Sequence, residues 1–133
     1  MGIRGDLEAN FDFDIVDEFL DHYSLMVDSM EIMILDLNDP SLCKRSIDEL
    51  FRVFHNIKSA SGYLQLKSMN KLSSYVEDIL EILRTTEKCA SQETIDWLLN
   101  ISDMFSKWND DFKEDRTLSN VKYSLLKLPD LDK

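Results

Sequence analysis

The imidazoles and thiols of this sequence are few: two histidines, His22 and His55, and two cysteines, Cys43 and Cys89. His55 has the more suggestive surroundings, in the run Phe54-His55-Asn56-Ile57-Lys58-Ser59-Ala60-Ser61-Gly62. On a helix turning about 100° per residue, His55 lies roughly 100° from the middle of the apolar stripe, at the border between core and solvent. Lys58, Ser59 and Gly62 follow it at the spacings that make neighbours on a helix surface. Imidazole is neutral in a good fraction of molecules near neutral pH, so a ring nitrogen is available as a nucleophile. Lys58 can neutralise charge on an incoming phosphoryl group, and Ser59 and Gly62 leave room for a docking partner. Taken alone, a border histidine is ordinarily a surface residue. His22, beside Asp21 and without a cation or small residues around it, is read as that ordinary case.

Other constellations carry less. Cys43 and Cys89 are far from metal-type spacing, so a disulfide framework is not expected and a reducing cytoplasm is the natural setting. Asp14, Asp17, Glu18, Asp21 and His22 invite a carboxylate metal site in a bundle, but the Glu-x-x-His pairs such a site needs are missing. They read as a solvated helix face. No phosphate-binding glycine loop is visible, so the chain has no evident means of binding ATP, and no cofactor is expected. The formal net charge of −11, from 26 acidic and 15 basic residues, opposes binding to nucleic acid or an anionic membrane. It suits a soluble monomer. No apolar run approaches the ~18 residues needed to cross a bilayer, and a signal-peptide pattern is lacking. Asp6 stands where a Met1-Gly2 myristoylation pattern wants Ser or Thr.

The elements that would hold His55 are helices. With three glycines and two prolines in 133 residues, turn-dense β architectures are excluded, and the Leu, Ile, Met, Glu and Lys content favours helix. A first amphipathic segment runs from about Asp14 to Leu37, with Val16, Phe19, Leu20, Tyr23, Val27, Met30, Met33, Ile34 and Leu37 at three-and-four spacing. Asp12, Asp14, Asp17 and Glu18 crowd its start, and Asn38-Asp39-Pro40 ends it. A second runs from Ser41 or Ser46 to Ser61, striped by Ile47, Leu50, Phe51, Phe54 and Ser61, with Gly62 marking its stop. A third spans about Ser68 to Arg84 on Met69, Leu72, Val76, Ile79, Leu80 and Leu83. The fourth starts at Ser91 as N-cap and continues to about Lys113, with Ile95, Leu98, Leu99, Ser102, Phe105 and Phe112 on one face. Trp97, Met104 and Trp108 lie off that face and are expected to pack against a short last helix over Leu118 to Leu128, ended by Pro129. Short connections make neighbouring helices antiparallel. The expected fold is therefore all-α, an antiparallel up-down four-helix bundle with a short fifth C-terminal helix, in one domain over residues 1–133.

The run Leu50-Phe51-Arg52-Val53-Phe54-His55-Asn56-Ile57-Lys58, followed by Gly62, Leu64 and Leu66, resembles the histidine-containing phosphotransfer (HPt) domain. It is most similar to the version at the N-terminus of chemotaxis kinases of the CheA type. That pattern is Phe-Arg-x-x-His-x-hydrophobic-Lys-Gly, then a glycine and a hydrophobic turn, then a helix with a Glu-Asp or Glu-Asn pair, answered here by Leu72, Val76, Glu77 and Asp78. Residues 14–84 carry the resemblance well. The helices expected over 91–113 and 118–128 match only in length and apolar pattern. The resemblance implies that His55 is the phosphorylated residue, that Lys58 stabilises the phosphoryl group, and that Glu77 accepts a hydrogen bond from the imidazole. On that reading Ser59, Gly62, Arg52 and Asn56 form the docking surface. Glu77 also has a physical rationale of its own. It sits one residue past core Val76 as His55 sits one past core Phe54, so both can border one groove between antiparallel helices.

Two positions depart from the pattern: Ser59 replaces the usual glycine after the lysine, and Ser74 replaces a second histidine three residues before the glutamate. The resulting expectation is a cytoplasmic phosphocarrier of a two-component relay, not an enzyme in itself. It would be served by a histidine kinase ATP-binding domain and a response-regulator receiver domain. Two alternatives stay open: a bundle that docks regulators without accepting phosphate, and a metal-carboxylate bundle enzyme. The start at Met1 and the end Pro129-Asp-Leu-Asp-Lys133 fit either a free-standing protein or the leading domain of a larger kinase.

Overall fold

The computed structural model describes residues 2–131. Met1 of the acylation pattern and Asp132 and Lys133 of the acidic end lie outside the described residues. Five α-helices are formed: α1 Ile3–Asn10, α2 Phe13–Leu35, α3 Cys43–Tyr63, α4 Lys67–Thr86 and α5 Gln92–Lys113. Among the described residues there is no strand, so the all-helical expectation holds. No helix among them is long and apolar enough to cross a membrane.

The periodic segments become helices because each has a stripe to bury. In α2 the stripe is Val16, Phe19, Tyr23, Met26, Val27, Met30 and Ile34. Asp12 caps its start by accepting from the Asp14 amide at 2.9 Å. The helix then tightens into a 3-10 turn over Asp36–Asn38 that keeps Leu37 in the core. Asp39 accepts from both the amide and the hydroxyl of Ser41. Those bonds hold its carboxyl below the usual range and direct the chain into α3. Ser91 caps α5, its hydroxyl accepting from the Thr94 amide.

The helices associate in two main pairs. α3 packs most extensively on α4, and α2 on α5, with α2 also against α3. Contacts between α3 and α4 pair late residues of one with early residues of the other: Lys58 with Asn70, His55 with Glu77, Phe51 with Arg84. Between α2 and α5, Phe19 meets Phe112 edge-on and the Tyr23 hydroxyl donates to the Phe105 carbonyl at 2.7 Å. Burial pushes the Tyr23 hydroxyl well above its ordinary pKa, and the nearby Asp111 charge adds to the effect.

Three expectations are corrected. The helix expected over Leu118–Leu128 is not formed; the chain there is irregular apart from one 3-10 turn at Tyr123–Leu126. Its backbone groups are used by the bundle instead. Trp108 Nε1 donates to the Ser119 carbonyl at 2.8 Å and Trp97 Nε1 to the Leu125 carbonyl at 3.1 Å. Asp111, almost fully buried, accepts from both the amide and the hydroxyl of Ser119 at 2.8 Å. Trp97, Met104 and Trp108 are buried as expected, but an irregular tail rather than a helix covers them.

The additional helix lies at the other end of the chain. α1 forms despite its glycine because Asp115 Oδ1 accepts from the Arg4 and Gly5 amides, supplying the N-terminal cap from the loop after α5. Gly2 is needed there, since a Cβ would lie 1.6 Å from the Asp115 carbonyl oxygen. Lastly, Gly62 does not end α3. The helix runs to Tyr63, and the left-handed residue of the turn is Gln65, at φ 60°.

Candidate functional site

Stripe residues on either side of His55 anchor it. Phe54 and Ile57 are fully buried in α3, and Val76 is fully buried in α4. Residues 55 and 77, one position further on, are thereby carried to the seam where the two helices meet. The His55 side chain is 56% exposed and Glu77 only 14%. His55 Nδ1 lies 3.2 Å from Glu77 Oε1, and Lys58 Nζ lies 3.5 Å from Glu77 Oε2. One half-buried carboxylate thus engages both the imidazole and the ammonium. A carboxylate can only accept, so the neutral ring carries its proton on Nδ1 and leaves the Nε2 lone pair free. This is the division of labour of an oriented nucleophile: one nitrogen held, the other available.

The rest of the expected site divides by position. Arg52, Asn56, Ser59 and Gly62 are all exposed on α3 along with His55, so they form one surface. Gly62 is the open part of it. Among the described residues outside its own helix backbone, an added Cβ would meet Asn70 Nδ2, at 3.2 Å. Ser74 is half-buried. The carboxylates at the start of α2 are not gathered around a common point: among the described residues no group of three or more His, Cys, Asp or Glu side chains could hold a metal ion.

Three residues at the site escaped the sequence reading. Phe51, assigned to the core stripe, is only partly buried. Its ring stacks on His55, with centroids 6.1 Å apart and planes 8° from parallel. The Arg84 guanidinium lies over the Phe51 ring at 4.1 Å and pairs with Glu81 at 2.7 Å. Asn70 donates to the Lys58 carbonyl at 2.8 Å, joined there by the Ser61 hydroxyl at 3.1 Å. This fastens the last turns of α3 to the first turn of α4. The spacings offered a signal for two of them: Phe51 is one helical turn before His55, and Arg84 two turns after Glu77.

A family model described as Hpt domain matches residues 14–111. The chain belongs to the Hpt domain family. The match extends past residue 84 through nearly all of α5, so the weakly patterned helix over 91–113 falls almost entirely within it, while residues 118–128 lie beyond it. Among curated proteins, the chain is similar to the chemotaxis protein CheA of Borreliella burgdorferi, at 27% identity over 89 residues, covering 67% of this chain and 10% of that protein. It is also similar to CheA of Treponema pallidum, at 22% identity over 91 residues, covering 68% of this chain and 11% of that one. The chain thus spans about a tenth of the length of these relatives. No solved structure matches it significantly.

Proposed function

We propose that this Hpt domain carries a phosphoryl group on His55 Nε2. It would accept the group from a histidine kinase ATP-binding domain, or from a phosphorylated response regulator, and pass it to a response-regulator aspartate. The observation that carries this reading is the single carboxylate of Glu77 engaging both His55 Nδ1 and Lys58 Nζ on a half-exposed seam. In this reading the four long helices alternate in direction, and the α3–α4 seam is the face presented to partners. The domain works as a cytoplasmic monomer that binds neither nucleic acid nor membrane.

The steps balance without a cofactor of the domain's own. The Nε2 lone pair attacks the γ-phosphorus of ATP held by the kinase. The Nε2–P bond forms, and the P–O bond to the β-phosphate breaks with its electron pair leaving on ADP. Glu77 keeps the Nδ1 proton in place and offsets positive charge as it develops on the ring. Lys58 offsets negative charge on the transferring oxygens. In the second step an aspartate oxygen of the receiver attacks phosphorus, and the N–P pair returns to the imidazole. Ser59, Gly62, Arg52 and Asn56 supply the surface on which either partner sits. The CheA resemblance supports a chemotaxis-type relay as the setting.

The test is transfer of labelled phosphate from a CheA-type kinase core lacking its own phosphotransfer domain, run on wild type and His55→Gln. Acid-labile, base-stable label on wild type alone is the expected result. His55 is exposed, so the variant should stay folded by circular dichroism. Absence of label across a panel of kinase cores and phosphorylated regulators would overturn the carrier reading. It would favour a bundle that only docks, for which Ser59 and Ser74 leave room.

A further inference from the structure

The cavity at the far end of the α3–α4 pair from the Gln65 turn has no part in the proposed phosphoryl transfer. It has a volume of about 220 Å³, and its walls include both cysteines of the chain, Cys43 and Cys89, with the charged groups Lys44, Arg84, Glu87 and Lys88 around them. The two thiols are free, Cys43 buried at the first residue of α3 and Cys89 exposed in the connection after α4. Both nonetheless line this one cavity, and Cys89 is near enough to raise the pKa of the Cys43 thiol. The backbone on the Cys89 side is irregular: α4 ends at Thr86, Glu87 after it is left-handed at φ 55°, and α5 begins at Gln92. A short irregular connection can adjust to the narrow geometry of a disulfide more readily than two rigid helices could.

We propose that Cys43 and Cys89 are a peroxide-sensitive thiol pair that closes to a reversible intramolecular disulfide, pinning the α4–α5 connection to the start of α3. The order of events follows from exposure. Cys89, open to solvent, attacks a hydroperoxide oxygen as thiolate; the O–O bond breaks, the alcohol or water leaves, and Cys89 becomes a sulfenic acid. The Cys43 sulfur then attacks the Cys89 sulfur, the S–O bond breaks, and hydroxide departs as water with the Cys43 proton. Two thiols are oxidised by two electrons in all, and one hydroperoxide is reduced to alcohol and water. A dithiol reverses the reaction. Transient disulfides of this kind are the usual form in reducing compartments. The loop that closes contains the whole of α3 and α4, including His55 and Glu77.

Burial and the adjoining Cys89 push the Cys43 thiol up to about 11. Closure therefore speeds up as pH rises, because Cys43 must lose its proton to attack.

The experiment treats the reduced full chain with hydrogen peroxide near equimolar amounts, then quenches, alkylates and maps peptides without reductant. The expected result is a Cys43–Cys89 linked peptide pair, a mass loss of two hydrogens on a monomer, and full recovery with dithiothreitol. Unfolding should shift upward by about 10 °C in the oxidised form. In Cys43→Ser the sulfenic acid on Cys89 should persist and go on to sulfinic acid. In Cys89→Ser, Cys43 should stay unmodified. Wild type that accumulates Cys89 sulfinic acid or intermolecular dimers, with Cys43 still alkylatable after unfolding, would overturn the proposal without needing either variant to fold. Neither result bears on phosphate transfer at His55.

Discussion

Two carboxylates show how differently this bundle uses its two sides. On the α3–α4 seam, Glu77 is half-buried and reaches side chains only, at 3.2 Å and 3.5 Å. Between α5 and the tail, Asp111 is buried and accepts two 2.8 Å bonds from Ser119, one of them from the backbone, with Arg116 at 3.3 Å. Glu77 orients a reactive ring that must still meet another protein. Asp111 anchors a segment that has no helical hydrogen bonds of its own. The aromatic residues divide in the same way. Phe51 lies flat beside the exposed imidazole, whereas Trp108 is fully buried, edge-on to Phe105, with its indole proton on the tail. The α2–α5 side uses its polar groups to fasten the tail, whereas the α3–α4 seam, though the most extensively packed of the helix pairs, leaves the His55 side chain exposed.

That division can be broken deliberately. Trp108→Ala should give the largest loss of stability, about 3–5 kcal/mol, because it opens a cavity and unfastens Ser119. Urea denaturation would measure it. If the variant remains folded at low denaturant, phosphoryl acceptance by His55 should be nearly unchanged. A parallel loss of transfer in the folded fraction would show that the two sides are coupled.

Glu77→Gln should do the reverse. It leaves the fold in place but removes the charged acceptor for Nδ1 and Lys58, slowing phosphorylation by about tenfold to a hundredfold in single-turnover transfer. A rate within twofold of wild type would mean that Glu77 is only a surface carboxylate.

Asp111→Ala should destabilise by about 1–3 kcal/mol, since the Ser119 amide loses its partner. Limited proteolysis should then cut first within residues 117–131. Cleavage elsewhere would show that the tail is held mainly by its apolar contacts.

The smallest effect concerns Tyr23. Burial, with the nearby Asp111 charge, raises its pKa well above the ordinary tyrosine value in the folded state, so the folded form favours the protonated hydroxyl. The resulting stability is complete below the unfolded pKa and is lost as pH rises through the folded one. Urea midpoints should fall above about pH 10, and Tyr23→Phe should remove that part of the slope at a cost of about 1 kcal/mol at neutral pH.

The four long helices could be read from the chain because a buried stripe is a local, periodic property. Val16 through Ile34, Ile47 through Ser61, Met69 through Leu83 and Ile95 through Phe112 each announce a face, and Asp12 and Ser91 announce two starts. His55, Lys58 and Glu77 were legible as a group because each is placed by the stripe residue just before it or by helical spacing. Phe51 was misassigned because it occupies a stripe position whose ring is turned towards the seam, a distinction that spacing does not carry.

α1 and the tail were not legible, because neither is held together by local contacts. α1 takes its cap from Asp115, more than 100 residues away, and the tail gives its carbonyls to indoles of α5 in place of its own helix. Cys43 and Cys89 are also distant in sequence, and they meet only because the α3–α4 pair returns the chain to its starting point. Helix content, stripe faces and the chemistry available at His55 follow from the order of the residues, since they depend on neighbours within a turn or two. The segment that covers α5 and the meeting of the two thiols depend on which helices pack together. Hydrogen bonds and burial between distant parts of the chain settle that only once the bundle closes.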